Sequence, residues 1–163
     1  MSELDNQLNL FILGEPEDFQ NSAKVESVDK ISKELRSKNM SRIRHKNTGP
    51  EMVVRQFLHG RGFRYRLHDR RLPGKPDLVL PKYKTCLFVN GCFWHKPMDE
   101  RCGNCRLPKT NTTFWKKKFS ENIERDKKNL EKLESMGWKT VSVWECDLVE
   151  ESSLINLEKE LLD

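Results

Sequence analysis

From Gly49 onward, apolar and polar positions recur with the periods of regular structure, whereas the first 30 residues sustain neither period. The exception after Gly49 is the run between Lys96 and Thr112, whose turn residues and cysteines need a metal or ligand to hold them. Thr48-Gly-Pro50-Glu51 has helix-start chemistry with proline early in the first turn. Val54, Phe57 and Leu58 then form an apolar face that Gly60 and Gly62 end. Phe63-Arg-Tyr65-Arg-Leu67 alternates strictly and reads as a strand. Leu72-Pro-Gly-Lys-Pro76 turns into a second strand, Asp77 to Leu80, and Pro81-Lys-Tyr-Lys84 turns that into a third, Thr85 to Val89. The last two are nearly continuous apolar runs, which assigns them to the sheet centre. A long helix from Thr113 to Met136 is closed by Gly137. A strand from Trp138 to Trp144 and an amphipathic helix from Leu148 to Leu162 complete the pattern.

The order helix, three strands, helix, strand, helix predicts an α/β domain with a mixed central sheet flanked by helices. At 163 residues one core suffices, so residues 31–163 are read as a single domain. Residues 1–30 are read as an acidic, poorly ordered extension. Arg36-Ser-Lys-Asn-Met40-Ser-Arg-Ile-Arg44 reads as a basic arm with a short helix. No stretch approaches the roughly 20 apolar residues of a membrane span, and the N-terminus lacks the pattern of a secretory leader, so a cytoplasmic protein is expected.

Charge sharpens the division. Residues 1–30 carry seven acids and two bases, which leaves a net +10 on the remainder of a chain whose formal net charge is +5. A basic body suits a polyanion such as DNA, and equally a solvated lysine-rich surface.

The densest chemistry follows the third strand, where Gly91 opens into Cys92-Phe93-Trp94-His95. Asp77 begins a predicted central strand directly after a turn, where its oxygens suit a hard cation such as magnesium; aspartate is also common in turns for local reasons. On the long helix the inward stripe Trp115, Phe119, Ile123, Asp126, Leu130, Leu133 contains one carboxylate. Asp126 needs either a basic partner in a salt bridge or His95, whose tautomer it would fix for general-base chemistry on phosphorus. Glu51 shares a helix face with Val54 and Leu58 and can turn toward the same site, or serve as a first-turn acid favoured by the helix dipole. Cys102-Gly-Asn-Cys105 has the turn of a metal knuckle. With Cys92 and Cys146 it gives four thiolates for one tetrahedral zinc, the rival being a redox CxxC. Cys86 remains as a small hydrophobe in a strand. Phe93 and Trp94 point in different directions after a strand, so both can hardly share one core; exposed, they would stack on or wedge between bases, with Met40, Arg42 and Arg44 reaching a groove from the arm.

Arg36-Ser-Lys-Asn-Met-Ser, Leu72-Pro-Gly-Lys-Pro-Asp77, Gly91-Cys-Phe-Trp-His95, Pro108-Lys-Thr-Asn, Phe114-Trp115, Asn122-Ile-Glu-Arg-Asp126 and Val143-Trp-Glu-Cys146 together resemble the very short patch repair (Vsr) endonucleases, in the family's order from about Leu35 to Leu148. The resemblance implies a restriction-endonuclease-like fold. It also implies a monomer that binds double-stranded DNA at a T:G mismatch left by deamination of 5-methylcytosine, nicks the strand 5′ of the thymine using magnesium, and hands on to downstream repair proteins. By position it implies Asp77 and the carbonyl of Val89 as magnesium ligands, His95 as base, Asp126 as its orienting carboxylate and Glu51 as an accessory acid. Phe93 and Trp94 are implied as the wedge, with Met40 entering from the arm. Two departures stand out. Asn90 replaces an expected histidine and can hydrogen-bond but not carry a proton, and Pro97 and Met98 stand where a zinc-ligating histidine is expected, which leaves Cys92, Cys102, Cys105 and Cys146. A sequence-specific double-strand endonuclease of the same fold and a non-catalytic zinc-stabilised DNA-binding module are the alternatives.

Overall fold

The computed structural model describes residues 32–42, 46–95, 102, 108 and 111–162. The acidic extension, Arg44, Cys105 and the side chains of Trp94 and His95 lie outside the described residues.

Helix α1 (Lys33–Ser41) is capped by Ser32, whose Oγ accepts the Leu35 N–H at 3.2 Å, and it leaves Leu35 and Met40 exposed. Thr48 likewise caps α2 (Gly49–Gly60), its Oγ1 accepting the Glu51 N–H at 3.4 Å, with proline in the first turn. Strands β1 (Arg66–Leu67), β2 (Leu78–Leu80), β3 (Thr85–Asn90) and β4 (Lys139–Trp144) form one sheet in that order. The first three run antiparallel and β4 lies parallel to β3. A short helix α3 (Cys92–His95) follows β3, the long α4 (Thr112–Ser135) leads into β4, and α5 (Glu151–Leu162) closes the chain.

Alternation along the strands divides the core between two faces. Leu78, Leu80, Leu87, Val141 and Val143 pack with Val54, Leu58 and Phe63 and with Leu154, Leu157 and Leu161, so α2 and α5 cover one face. Val79 and Cys86 meet Leu133, with Leu72, Phe88 and Trp138 around them, so α4 covers the other. The result is a mixed four-stranded sheet between helical layers, with β2 and β3 central, as their apolar runs predict. Burial pushes the Cys86 thiol up to about 11, consistent with a small core hydrophobe.

Three boundaries differ from the sequence reading. Phe63 to Tyr65 do not join the ladder, because they finish the end of α2: the Phe63 N–H donates to Leu58 O at 2.9 Å, Phe63 enters the core, and the Tyr65 hydroxyl donates to Arg55 O at 2.9 Å. The last helix begins at Glu151 because residues 145–149 form a 3₁₀ turn. The run after Gly91 closes into a single helical turn, α3.

The turn before β2 is fixed by a close approach. Gly74 has φ +71°, and a Cβ there would lie 3.2 Å from both the Asn129 Cβ and the Phe88 ring. Gly74→Ala therefore combines left-handed strain with a clash against the sheet and α4, and is expected to lower stability by about 1–3 kcal/mol in urea unfolding monitored by tryptophan fluorescence.

Candidate active site and thiol cluster

Asp77 immediately precedes β2. Its Oδ2 accepts the Val89 N–H at 2.8 Å, so the carboxylate is pinned to the far end of the central strand β3. A quarter of its side chain remains exposed at that edge. The Val89–Asn90 end of β3 runs directly through Gly91 into α3. Asp77, the Val89 main chain, Asn90 and the Cys92–His95 turn therefore share one end of the sheet. A carboxylate at such an edge is a hard oxygen donor that suits magnesium, and the Val89 main chain supplies a carbonyl at the same strand end.

Glu51 is the most enclosed carboxylate of the region, only 2% exposed. Its Oε2 accepts the Asn47 N–H at 2.7 Å, and its Oε1 lies 3.3 Å from Arg55 Nη1 and 3.2 Å from His68 Nε2. The same Arg55 nitrogen donates to Asn47 Oδ1 at 2.7 Å. Burial of a charge demands such partners. Glu51 is thus held by the segment before α2, by its own helix one turn on, and by the loop after β1.

His68 is the residue that the sequence reading passed over. Its N–H donates to Asp77 O at 3.2 Å, its Nδ1 lies 3.9 Å from Asp77 Oδ1, and its ring is 16% exposed. It links the two carboxylates, Glu51 and Asp77, that the sequence had assigned to one site. A signal was present: the pairs Arg66↔Val79 and Leu67↔Leu78, continued by one step, set residue 68 opposite residue 77. The next residue, Asp69, is held down to about 2 by hydrogen bonds from the side chain and main chain of Arg71, which fixes the loop on which His68 stands.

On the other side of this edge, Phe93 of α3 meets α4. Its ring lies edge-on to Trp115 at 5.5 Å and to Phe119 at 5.7 Å, and Phe114 continues the row, 61% exposed, at 5.4 Å from Trp115. Two turns along α4, Asp126 Oδ1 accepts from Arg125 Nη2 at 2.8 Å and Nε at 3.0 Å, so an arginine partner is present. Arg125 also holds the buried Asn122 at 3.1 Å, a polar position within the stripe that the spacing of apolar residues does not reveal. The His95 ring lies outside the described residues, so its pairing with Asp126 is an expectation. On the arm, Met40 and Arg42 are exposed.

The thiols form a second centre. The Sγ atoms of Cys92, Cys102 and Cys146 lie within 4.8 Å of one another, with Cys92 and Cys102 buried. Cys92 Sγ accepts the Cys146 N–H at 3.2 Å. Burial pushes the Cys92 thiol up to about 11 against the lowering effect of its hydrogen bonds with Cys146, and burial together with the Cys92 thiol pushes Cys146 up to about 12. Three converging sulfurs are a donor set suited to zinc. Cys105, the fourth expected ligand, lies outside the described residues.

Among the described residues no helix is long and apolar enough to cross a membrane. Residues 28–101 match the family model described as DNA mismatch endonuclease Vsr. The chain is 50% identical over 113 residues to the type II nicking enzyme V.NmeAIP of Neisseria meningitidis, covering 69% of this chain and 79% of the relative. It is 40% identical over 135 residues to the type II nicking enzyme V.XorIIP of Xanthomonas oryzae, covering 83% and 97%. To the DNA mismatch endonuclease Vsr of Escherichia coli it is 39% identical over 120 residues, covering 74% and 75%. With a carboxylate fixed at the end of a mixed sheet, a cysteine cluster behind it and relatives of this extent, the chain belongs to the Vsr family of DNA endonucleases.

Proposed function

We propose that this protein is a magnesium-dependent nickase of T:G mismatches that arise by deamination of 5-methylcytosine, cutting the strand 5′ of the mispaired thymine in the manner of a restriction-endonuclease-like fold. The observation that carries the reading is the 2.8 Å hydrogen bond from the Val89 N–H to Asp77, which brings a carboxylate and a main-chain carbonyl to the strand end from which Cys92–His95 departs. The name of the Escherichia coli relative supports a mismatch as the target.

Asp77 and the Val89 carbonyl would hold the magnesium. When bound, that ion supplies charge stabilisation at the phosphate and a more acidic water. His95 takes the proton of the attacking water, oriented by Asp126, one oxygen of which is held by Arg125. Asn90 donates a hydrogen bond to the phosphate, and its amide leaves proton transfer to His95 alone. Glu51 acts from behind the site, because its own oxygens are engaged. Arg42 and Arg44 contact the phosphate backbone and Met40 enters the groove. Phe93 and Trp94 wedge between base pairs at the mismatch.

Cys92, Cys102, Cys105 and Cys146 would hold the zinc, which when bound would supply a cross-link between α3 and the turn after β4. The rest of the reading is a cytoplasmic monomer, residues 31–163 as its endonuclease domain, and residues 1–30 as an acidic appendage outside it. A second reading has specific support, since V.NmeAIP and V.XorIIP are named as type II nicking enzymes: the mismatch is then cut only within one flanking sequence.

Three outcomes are expected. Incubation with T:G and T:A duplexes of randomised flanks should give a magnesium-dependent nick in the T strand of the mismatched set alone. Equal cutting of both sets, or cutting of both strands, would reject the reading. Asp77→Asn and His95→Ala should each lower the single-turnover rate by about 10²–10⁴-fold while mismatch binding, followed by fluorescence anisotropy, persists. Cys146→Ser should reduce zinc from one equivalent per chain in mass spectrometry under native conditions and lower the melting temperature; an unchanged zinc content would remove Cys146 from the ligand set.

A further inference from the structure

We infer that His68 is a positioning residue for strand cleavage, connecting the segment between the basic arm and α2 to the strand-end carboxylate through the line Asn47, Glu51, His68, Asp77. The inference rests on the nickase reading for its reaction and adds to it a residue which that reading does not assign.

The contacts along the line, from 2.7 to 3.9 Å, come from different parts of the chain. Asn47 has φ 54° and donates its N–H to Glu51 Oε2 at 2.7 Å, so the turn that joins the arm to α2 is written onto a buried carboxylate. The other oxygen of that carboxylate faces His68 Nε2 at 3.2 Å. His68 itself has φ 48°, a left-handed conformation that a histidine adopts only where its surroundings over-determine it. Those surroundings are its N–H bond to Asp77 O and the Asp69–Arg71 clasp that follows. Across the ring, Nδ1 faces Asp77 Oδ1 at 3.9 Å.

The ring is in reach of both carboxylates but aligned with neither. His68 Nε2 is buried and makes no hydrogen bond of acceptable angle, and the Nδ1 contact is longer than a hydrogen bond. Catalytic hydrogen bonds often tighten only in the substrate complex. The Val89 N–H fixes one oxygen of the Asp77 carboxylate, and alignment of His68 in the substrate complex orients the other, Oδ1, from the side that Glu51 and Asn47 support. His68 touches neither DNA nor the reacting atoms in this account.

The test compares His68→Ala and His68→Gln, the latter retaining a side-chain N–H, with the unaltered zinc-loaded chain. Four quantities are read: melting temperature, affinity for a T:G duplex without divalent metal, the magnesium dependence of the single-turnover nicking rate, and the Mn²⁺ affinity of the DNA-bound protein by electron paramagnetic resonance. His68→Ala should lower the maximal rate and the Mn²⁺ affinity by about 10–100-fold, the scale for residues that orient a metal ligand, with duplex affinity unchanged and with His68→Gln recovering most of both. Wild-type rate and Mn²⁺ affinity in the alanine variant would overturn the inference, as would a loss that follows duplex affinity alone. Should His68→Ala not fold, His68→Asn, too short to reach Glu51, carries the same expectations against His68→Gln. If the unaltered chain nicks no T:G duplex, the nickase reading fails, and the Mn²⁺ comparison alone decides the role of His68.

Discussion

A carboxylate buried to 2% exposure needs compensation, and at Glu51 that compensation organises the surroundings of the site. An isolated charge in a protein interior costs several kcal/mol even after relaxation, and removing one member of a satisfied cluster leaves the others exposed to that cost. Glu51 meets the need with hydrogen bonds from the Asn47 N–H and the Arg55 guanidinium, and the His68 ring lies beside it with Nε2 at 3.2 Å. Those residues precede α2, lie within it and follow β1. Helix α2 is therefore held to the β1–β2 loop at its polar end, while Val54 and Leu58, one and two turns on, anchor it to the sheet through the core. One helix carries both attachments because its buried positions, Glu51, Val54 and Leu58, recur on a single face.

Two devices then fix the strand end itself. The turn before β2 is held by Gly74, which only a residue without a Cβ can bring so close to Phe88 and Asn129. It delivers Asp77 to the start of β2, where the Val89 N–H receives it. Beyond β3 the chain leaves the sheet at once, and there the hydrophobic core ends. Cys92, Cys102 and Cys146 take over, joining the turn after β3 to the turn after β4 where apolar packing is thin. The short α3 is thereby held at one end by sulfur and along its side by the aromatic row on α4.

Periodicity made most of the frame legible. Helix α2, the central strands, α4 and β4 stand within a residue or two of where apolar spacing sets them, because burial on one or both faces dictates those patterns. Phe63 to Tyr65 misled because strict alternation also fits an extended segment capping a helix; only the hydrogen bond from the Phe63 N–H to Leu58 O distinguishes the two. The thiols Cys92, Cys102 and Cys146 were legible by residue type, since few roles other than a metal bring three cysteines to the ends of different elements. His68 and Asn122 were not, because a polar residue declares its role through its partners, and partners are set by register. The hairpin register Leu67↔Leu78 is the missing step for His68. Trp94 and His95 are named by the sequence, and their side chains lie outside the described residues.

The aromatic row bears on selectivity under the proposed function. Phe93 rests edge-on against Trp115 and Phe119, contacts worth about 0.5–1.5 kcal/mol each beyond the area they bury. A Phe93 that leaves this row to enter DNA forfeits them, and opening a base step costs a few kcal/mol more. The opening cost is least where a pair is already mismatched. The contacts forfeited are the same at every site and cancel in the comparison, so discrimination comes from the lower opening cost at the mismatch, while the packed resting place sets how much affinity remains. Exposed Phe114 at the end of the row is not subject to that trade, and Met40 on the arm is not either. Under the proposed function, selectivity for the lesion then rests on how readily the base step opens, and the packing of Phe93 against Trp115 and Phe119 sets the threshold that any site must exceed.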